Sequence, residues 1–189
     1  LYPPVKITAE MAEERPDLKP FVGQKLTVIA WLWARTVKSP NPAFSHVHVP
    51  LASTFILSSK KGKESYIEPV VDGDIYRLVV RVGKPSPGAK QGTKVSGKGA
   101  GFRCLMSNSP IDGKYIKLEA TEGRMSERLM AVVVEGTKGR VYLNADNIQV
   151  NIAENASPIT RPDTPLYGKT RDQMPLYGIE TFGDLFTSR

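Results

Sequence analysis

The stretch Val28–Leu51, VIAWLWARTVKSPNPAFSHVHVPL, constrains this chain most. A long apolar run stops at a turn around Pro40 and Pro42, residues that cannot carry a backbone ladder onward, and the chain leaves again toward Leu51. Leu26, Val28, Ala30, Leu32 and Ala34 alternate with Thr27, Ile29, Trp31 and Trp33, so both faces are apolar. Such a strand is expected to be covered on both sides or to lie against another domain; periodicity alone leaves a helix open. A second turn of similar character lies in Phe102–Ile111, FRCLMSNSPI. Two such turns face each other in a zinc ribbon, where each normally gives a cysteine pair to one tetrahedral metal. Here Ser39 and Phe44 frame the first turn, and Cys104 and Ser107 the second. One thiol cannot hold zinc. His46 and His48, two apart on a strand, share a face and point away from the turn, which makes them poor partners for Cys104. The expected state is a metal-free pair of turns, with Phe44 filling the space by apolar packing.

Fifteen prolines and 16 glycines in 189 residues, with 40% apolar residues, predict an α+β, mostly β fold: a degenerate zinc-ribbon-like antiparallel module with long loops and extended termini. Residues 1–24 read as a lead-in linker with a short helix near 8–14. Residues 25–143 read as the β-rich module, and 144–189 as a short helix followed by a Pro-rich tail. Strands are expected at Leu51–Ser58 and Tyr115–Ala120. Hairpins are expected at Ser65–Val71 with Ile75–Val82, around Asp72-Gly73-Asp74, and at Leu129–Val134 with Arg140–Leu143, around Gly136-Thr137-Lys138-Gly139. A helix is expected to start near Asn144 or Asp146. The tail carries one echo, Pro165-Leu166-Tyr167-Gly168 and Pro175-Leu176-Tyr177-Gly178. The single cysteine rules out an internal disulfide and fits a reducing compartment, hence a cytoplasmic location. No apolar run approaches a membrane span, and Leu1-Tyr2-Pro3-Pro4 does not open a secretory signal. The chain reads as a piece of something larger.

Net charge is +7, which favours an anionic partner, nucleic acid first. Between Ile75 and Ile111 there is no Asp or Glu, while Arg77, Arg81, Lys84, Lys90, Lys94, Lys98 and Arg103 fall in that window. Its centre, Gly83–Gly101, is Gly-rich and reads as a mobile cationic loop suited to phosphate contacts; a solvated loop without a partner is the alternative. Gly92-Thr93-Lys94-Val95-Ser96-Gly97-Lys98-Gly99 nearly spells a phosphate-binding P-loop. It lacks the hydroxyl after the lysine and a helix behind it, and we read it as accidental. With two histidines and scattered acids, no catalytic constellation and no Gly-rich cofactor turn stand out.

Several segments together carry a resemblance: Ala30–Ala43 (AWLWARTVKSPNPA), Ser59–Lys63 (SKKGK), Pro69–Asp72, Gly123–Val133 (GRMSERLMAVV), Gly139–Leu143 (GRVYL) and Phe182–Thr187 (FGDLFT). In this order they resemble the insert of the large prokaryotic DNA methylases described as adenine-specific methylases containing a zinc ribbon. The likeness spans about Tyr2 to Arg189. It implies that the chain lies between two halves of a methyltransferase domain. The halves carry the S-adenosylmethionine loop and the Asp-Pro-Pro-Tyr motif, both absent from this sequence, so no catalytic, cofactor-binding or metal-binding residue is expected here. Metal-bearing members have cysteines where Ser39, Phe44 and Ser107 stand, and glycines where Ser45 and Asn108 stand; only Cys104 matches. The implied partners are duplex DNA and the methyltransferase halves. The phosphate contacts expected are Lys60, Lys61, Lys63, Lys84, Lys90, Lys94, Lys98, Arg103, Arg124 and Arg128. The competing reading makes the insert a brace for the halves or a dock for a partner protein, with Trp31, Trp33 and the Tyr-rich tail as contact surface.

Overall fold

A computed structural model describes residues 3–95, 101–156 and 159–185. The fold is α+β and mostly β, with four antiparallel sheets of two, four, three and two strands. Strand β1 (Val5–Lys6) is followed by helix α1 (Ala9–Glu14), whose first turn is closed by the Thr8 hydroxyl accepting from the Met11 N–H at 3.3 Å. Strand β2 (Lys25–Leu26) returns to pair with β1. The segment expected as a lead-in linker is therefore built into the core: Ile7, Leu18 and Phe21 are all buried. Arg15, only 8% exposed, clamps it down. Its guanidinium donates to both Asp17 carboxylate oxygens, at 2.7 and 2.8 Å, and to the carbonyls of Val80 and Tyr142, at 3.2 and 3.3 Å. A buried guanidinium is tolerated because its donors are met in this way.

The long strand β3 (Val28–Lys38) lies in the middle of the four-stranded sheet. Residues Leu32 and Trp33 pack into different apolar clusters, so the strand is covered on both faces. Two register slips, at Ile29 and opposite Met130, shift which side chains share a face. After the proline turn come β4 (His48–Pro50) and β5 (Ile56–Ser58), so the strand expected over Leu51–Ser58 is shorter, its first half being irregular chain around buried Phe55. The hairpin of β6 (Ser65–Asp72) and β7 (Ile75–Val82) forms as expected.

The segment expected as a mobile loop is largely pinned. Helix α2 (Pro87–Gln91) is capped by Ser86 and buries Ala89, whose carbonyl accepts from the Phe55 N–H at 2.7 Å. Thr93 is fully buried, and its hydroxyl donates to the Pro50 carbonyl at 2.5 Å. Gly92, at φ +61°, lies so close to the Ala52 carbonyl that a Cβ there would meet it at 2.4 Å. Buried contacts of this kind override the compositional signal of glycine-rich sequence.

Strands β8 (Phe102–Arg103) and β9 (Pro110–Ile111) pair across the second turn. The strand expected over Tyr115–Ala120 is instead helix α3 (Gly113–Thr121). The Asp112 carboxylate accepts from the Tyr115 N–H at 2.7 Å, and Ile116 and Ala120, four apart, turn to the core. The cap and the i, i+4 pair decide against the short alternation that reads as a strand. Strands β10 (Ser126–Gly136) and β11 (Gly139–Asn144) complete the large sheet, and α4 (Asn147–Glu154) follows, capped by Asp146 as expected. Gln149 of α4 accepts from the Trp31 indole N–H at 2.8 Å. The tail holds α5 (Lys169–Gln173) and docks on α3, where Gly178 packs against the Ala120 carbonyl. No helix among the described residues is long and apolar enough to cross a membrane.

Candidate nucleic-acid interface

The two turns singled out in the sequence meet. The Asn41 side-chain amide donates to the Ser109 hydroxyl at 3.4 Å, and Phe44 packs in the same cluster as buried Cys104. Burial pushes the Cys104 thiol up. Hydrogen bonds to its sulfur from the Ser107 and Ser39 side chains and the Ser107 and Met106 backbone outweigh this and hold it below its ordinary value. Asn108 adopts a left-handed φ of 57°, a conformation asparagine tolerates better than most residues. The donor set here is one thiol and two hydroxyls, which does not fit zinc. Among the described residues no group of three or more His, Cys, Asp or Glu could hold a metal.

The expected phosphate contacts do not form one patch. Arg77 and Arg81 come from a window without acids, yet β6 lies alongside and supplies them: Glu68 pairs with Arg81 at 3.1 Å and Asp72 with Arg77 at 3.7 Å. Arg124 is held by Glu119 at 2.8 Å and Glu122 at 3.6 Å, with the Glu119 hydrogen bond raising its pKa. Arg103 donates to the Gln91 side chain at 2.6 Å, next to Lys90 on α2. Lys84 and Lys90 are exposed and Lys94 is half-buried. Lys98, and with it the end of the P-loop-like stretch, lies outside the described residues.

Lys60, Lys61 and Lys63 fare differently. Their turn meets the β10–β11 turn, with the Lys63 ammonium donating to the Lys138 carbonyl. Lys63, Lys138 and Arg140 thereby line a cavity of about 340 Å³ together with Phe21, Val82, Val141 and the Arg15–Asp17 pair, and Lys60 and Lys61 stand on the same turn as Lys63. None of these five cations pairs with a carboxylate among the described residues. Lys138 and Arg140 carry no local signal for this placement, because only the packing of two separate sheets brings them to the Lys60 turn. Arg128 lies apart, its guanidinium 4.4 Å from the centre of the Tyr76 ring.

No family model, curated protein or solved structure matches the chain.

Proposed function

We propose that this chain is a non-catalytic, DNA-contacting insert of an S-adenosylmethionine-dependent methyltransferase that modifies a base amine. The observation that carries the DNA contact is the corner where the turn bearing Lys60, Lys61 and Lys63 meets Lys138 and Arg140, five cations with no ion pair among the described residues, the Asp17 carboxylate in the adjoining cavity being held by Arg15. Phosphate contacts need dense, uncompensated positive charge more than they need shape, and they hold a duplex while another domain extrudes the base. The methyltransferase assignment rests on the sequence resemblance. The residues described here do not fit S-adenosylmethionine: every sheet is antiparallel, and no glycine turn leads from a parallel strand into a helix. On this reading the cofactor belongs to the flanking halves. The meeting of the two turns and the hydrogen bonds around Cys104 support a ribbon that has lost its metal. The variant S39C/F44C/S107C is expected to bind zinc tetrahedrally through four thiolates; a triple cysteine variant that folds and leaves zinc free removes the ribbon from the reading.

The DNA contact is tested by binding to labelled duplex across a salt series. Affinity should fall steeply with salt, and K60E/K61E/K138E should flatten the slope by about three phosphate contacts. Absence of binding at low salt overturns the proposal.

A second reading, that the insert braces the methyltransferase halves, has its own observation. An apolar groove of about 570 Å³ is lined by Trp33, Phe102, Met125, Met130, Met174 and Tyr177. Methionine-rich grooves repack readily around a partner. Trp33 lines this groove, whereas the Trp31 indole N–H donates to Gln149 outside it. Titration of the separated halves, followed by tryptophan fluorescence, decides it: quenching that Trp33→Phe abolishes is the expected result.

A further inference from the structure

We propose that the pocket between β4, β7 and β10 binds a phosphate group, with Arg128 and Arg77 as its charged clamp, the His48 ring as an additional donor and the His46 ring at its edge. The cavity, about 360 Å³, is lined by these four residues with Tyr76 and Ile75. Arg128 is the centre of the argument. Its guanidinium lies over the Tyr76 ring and gives one N–H to the Tyr76 carbonyl at 3.3 Å. Tyr76 is only 5% exposed, and its hydroxyl is bonded to the His48 carbonyl, so the platform under Arg128 is rigid. Arg15, Arg77, Arg81, Arg124 and Arg161 each have a carboxylate partner; Arg128, half-buried, has none among the described residues. A guanidinium fixed by stacking, with most of its N–H groups unspent, is preorganised for a bidentate oxyanion.

The surroundings agree in sign. Arg77, on the next residue after Tyr76, has only Asp72 at 3.7 Å, and both side chains are about two-thirds exposed (64% and 68%), a weak pair that Arg77 can leave. The His46 Nε2 lies 2.9 Å from the Asp74 carbonyl, and a carbonyl only accepts, so that nitrogen carries the proton and the ring is held at the pocket's edge. His48 sits beside the Thr36 hydroxyl, at 3.4 Å, and opposite Lys38 in the strand pairing. Burial first, then Lys38 and Arg128, holds its imidazole below the ordinary value. The groups that bear on His48 from β3, β7 and β10 are thus Lys38, Arg77, Tyr76 and Arg128, with Asp72 engaged by Arg77. Donors from three strands converge on one space, which suits a tetrahedral anion better than a planar carboxylate. This deepens the DNA-contact reading and rests on it only for where the phosphate comes from, a backbone diester or a free phosphate.

The test is a titration with inorganic phosphate at pH 6, followed by the NMR signals of the two histidine rings. Both rings are expected to shift saturably. Arg128→Gln should weaken the apparent affinity about tenfold. Because that variant can also loosen Tyr76, Arg77→Gln is measured beside it, and it should weaken binding several-fold with the Tyr76 platform intact. Rings that do not move, or that move equally in both variants and the parent, overturn the site. A duplex that shifts the same rings identifies a backbone phosphate as the ligand; rings that answer phosphate but not duplex identify a free phosphate, and both outcomes support the pocket. Duplex binding that persists while the rings stay silent to inorganic phosphate sinks the pocket and leaves the DNA reading standing; rings that shift with phosphate in a chain that binds no duplex do the reverse.

Discussion

The segment from Lys84 to Val95 and the corner formed by the Lys60–Lys63 and Thr137–Arg140 turns are both basic, but the fold treats them oppositely. The first looks loose in sequence and is pinned, by the buried Thr93 hydroxyl, by Ala89 beneath Phe55 and by Gly92 against the Ala52 carbonyl. It displays Lys84 and Lys90 from a fixed frame. The second is two ordinary hairpin turns, far apart in sequence, that bring together five cations with no ion pair among the described residues, the nearby Asp17 carboxylate being engaged by Arg15. The difference teaches that glycine content and local charge are poor guides to mobility and potential. What matters is whether a buried hydrogen bond anchors the chain, and which strand lies alongside.

The largest expected effect tests the pinning. Gly92→Ala puts a Cβ 2.4 Å from a backbone carbonyl at a positive φ, and neither the carbonyl nor the turn can give way cheaply. We expect a loss of about 3 kcal/mol or more, read as a lower urea midpoint. A change below about 0.5 kcal/mol would mean that the segment is not held as described.

Charge reversal then compares the two regions directly. K60E/K61E/K138E should weaken duplex binding about a hundredfold at low salt, and K84E/K90E about tenfold, since fewer uncompensated charges are removed. R81E, whose partner Glu68 already offsets it, should cost less than either. A reversed order in the filter-binding curves would return the phosphate contacts to the Ile75–Ile111 window.

Next in size is Thr93→Val. It keeps the side chain's shape but strands the Pro50 carbonyl, which accepts from the Thr93 hydroxyl in a fully buried setting. The expected cost is about 1–2 kcal/mol by the same denaturation, with duplex affinity carried by the corner unchanged. Affinity that falls with stability would show that the pinned frame is itself part of the grip.

Much of the fold was legible because its signals are local. The β6–β7 hairpin follows from Asp72-Gly73-Asp74, β10–β11 from Gly136–Gly139, and α4 from the Asp146 cap. Helix α3 was misread because Tyr115–Ala120 is too short for alternation to separate strand from helix, and the deciding cap, Asp112, lies outside the segment. The N-terminal segment reads as a linker because its prolines dominate, while the anchor of Arg15 in the carbonyls of Val80 and Tyr142 is non-local. The candidate site was half legible. Lys60, Lys61 and Lys63 are legible in the sequence; Lys138 and Arg140 needed the meeting of two separate sheets, and the acids beside Arg77 and Arg81 needed the β6–β7 pairing.

The smallest expected effect links the charge comparison to the Arg128 pocket. Burial, with Lys38 and Arg128 behind it, holds the folded His48 below its ordinary 6.5. As pH falls, the unfolded chain therefore takes up this proton before the folded one does. Stability is full above 6.5, declines as pH drops below it, and levels off once the lowered folded value is passed. The decline should be absent from this group in His48→Gln, so the difference in Tm between parent and variant should narrow or widen only within that acid window. Phosphate reverses the sign of the field around the ring, because an anion beside imidazolium favours the charged form. Melts at pH 5 and pH 8 with and without phosphate should then show the parent regaining its acid-side loss and the variant not. Equal gains in both would place the phosphate away from His48 and remove the ring from the pocket's account.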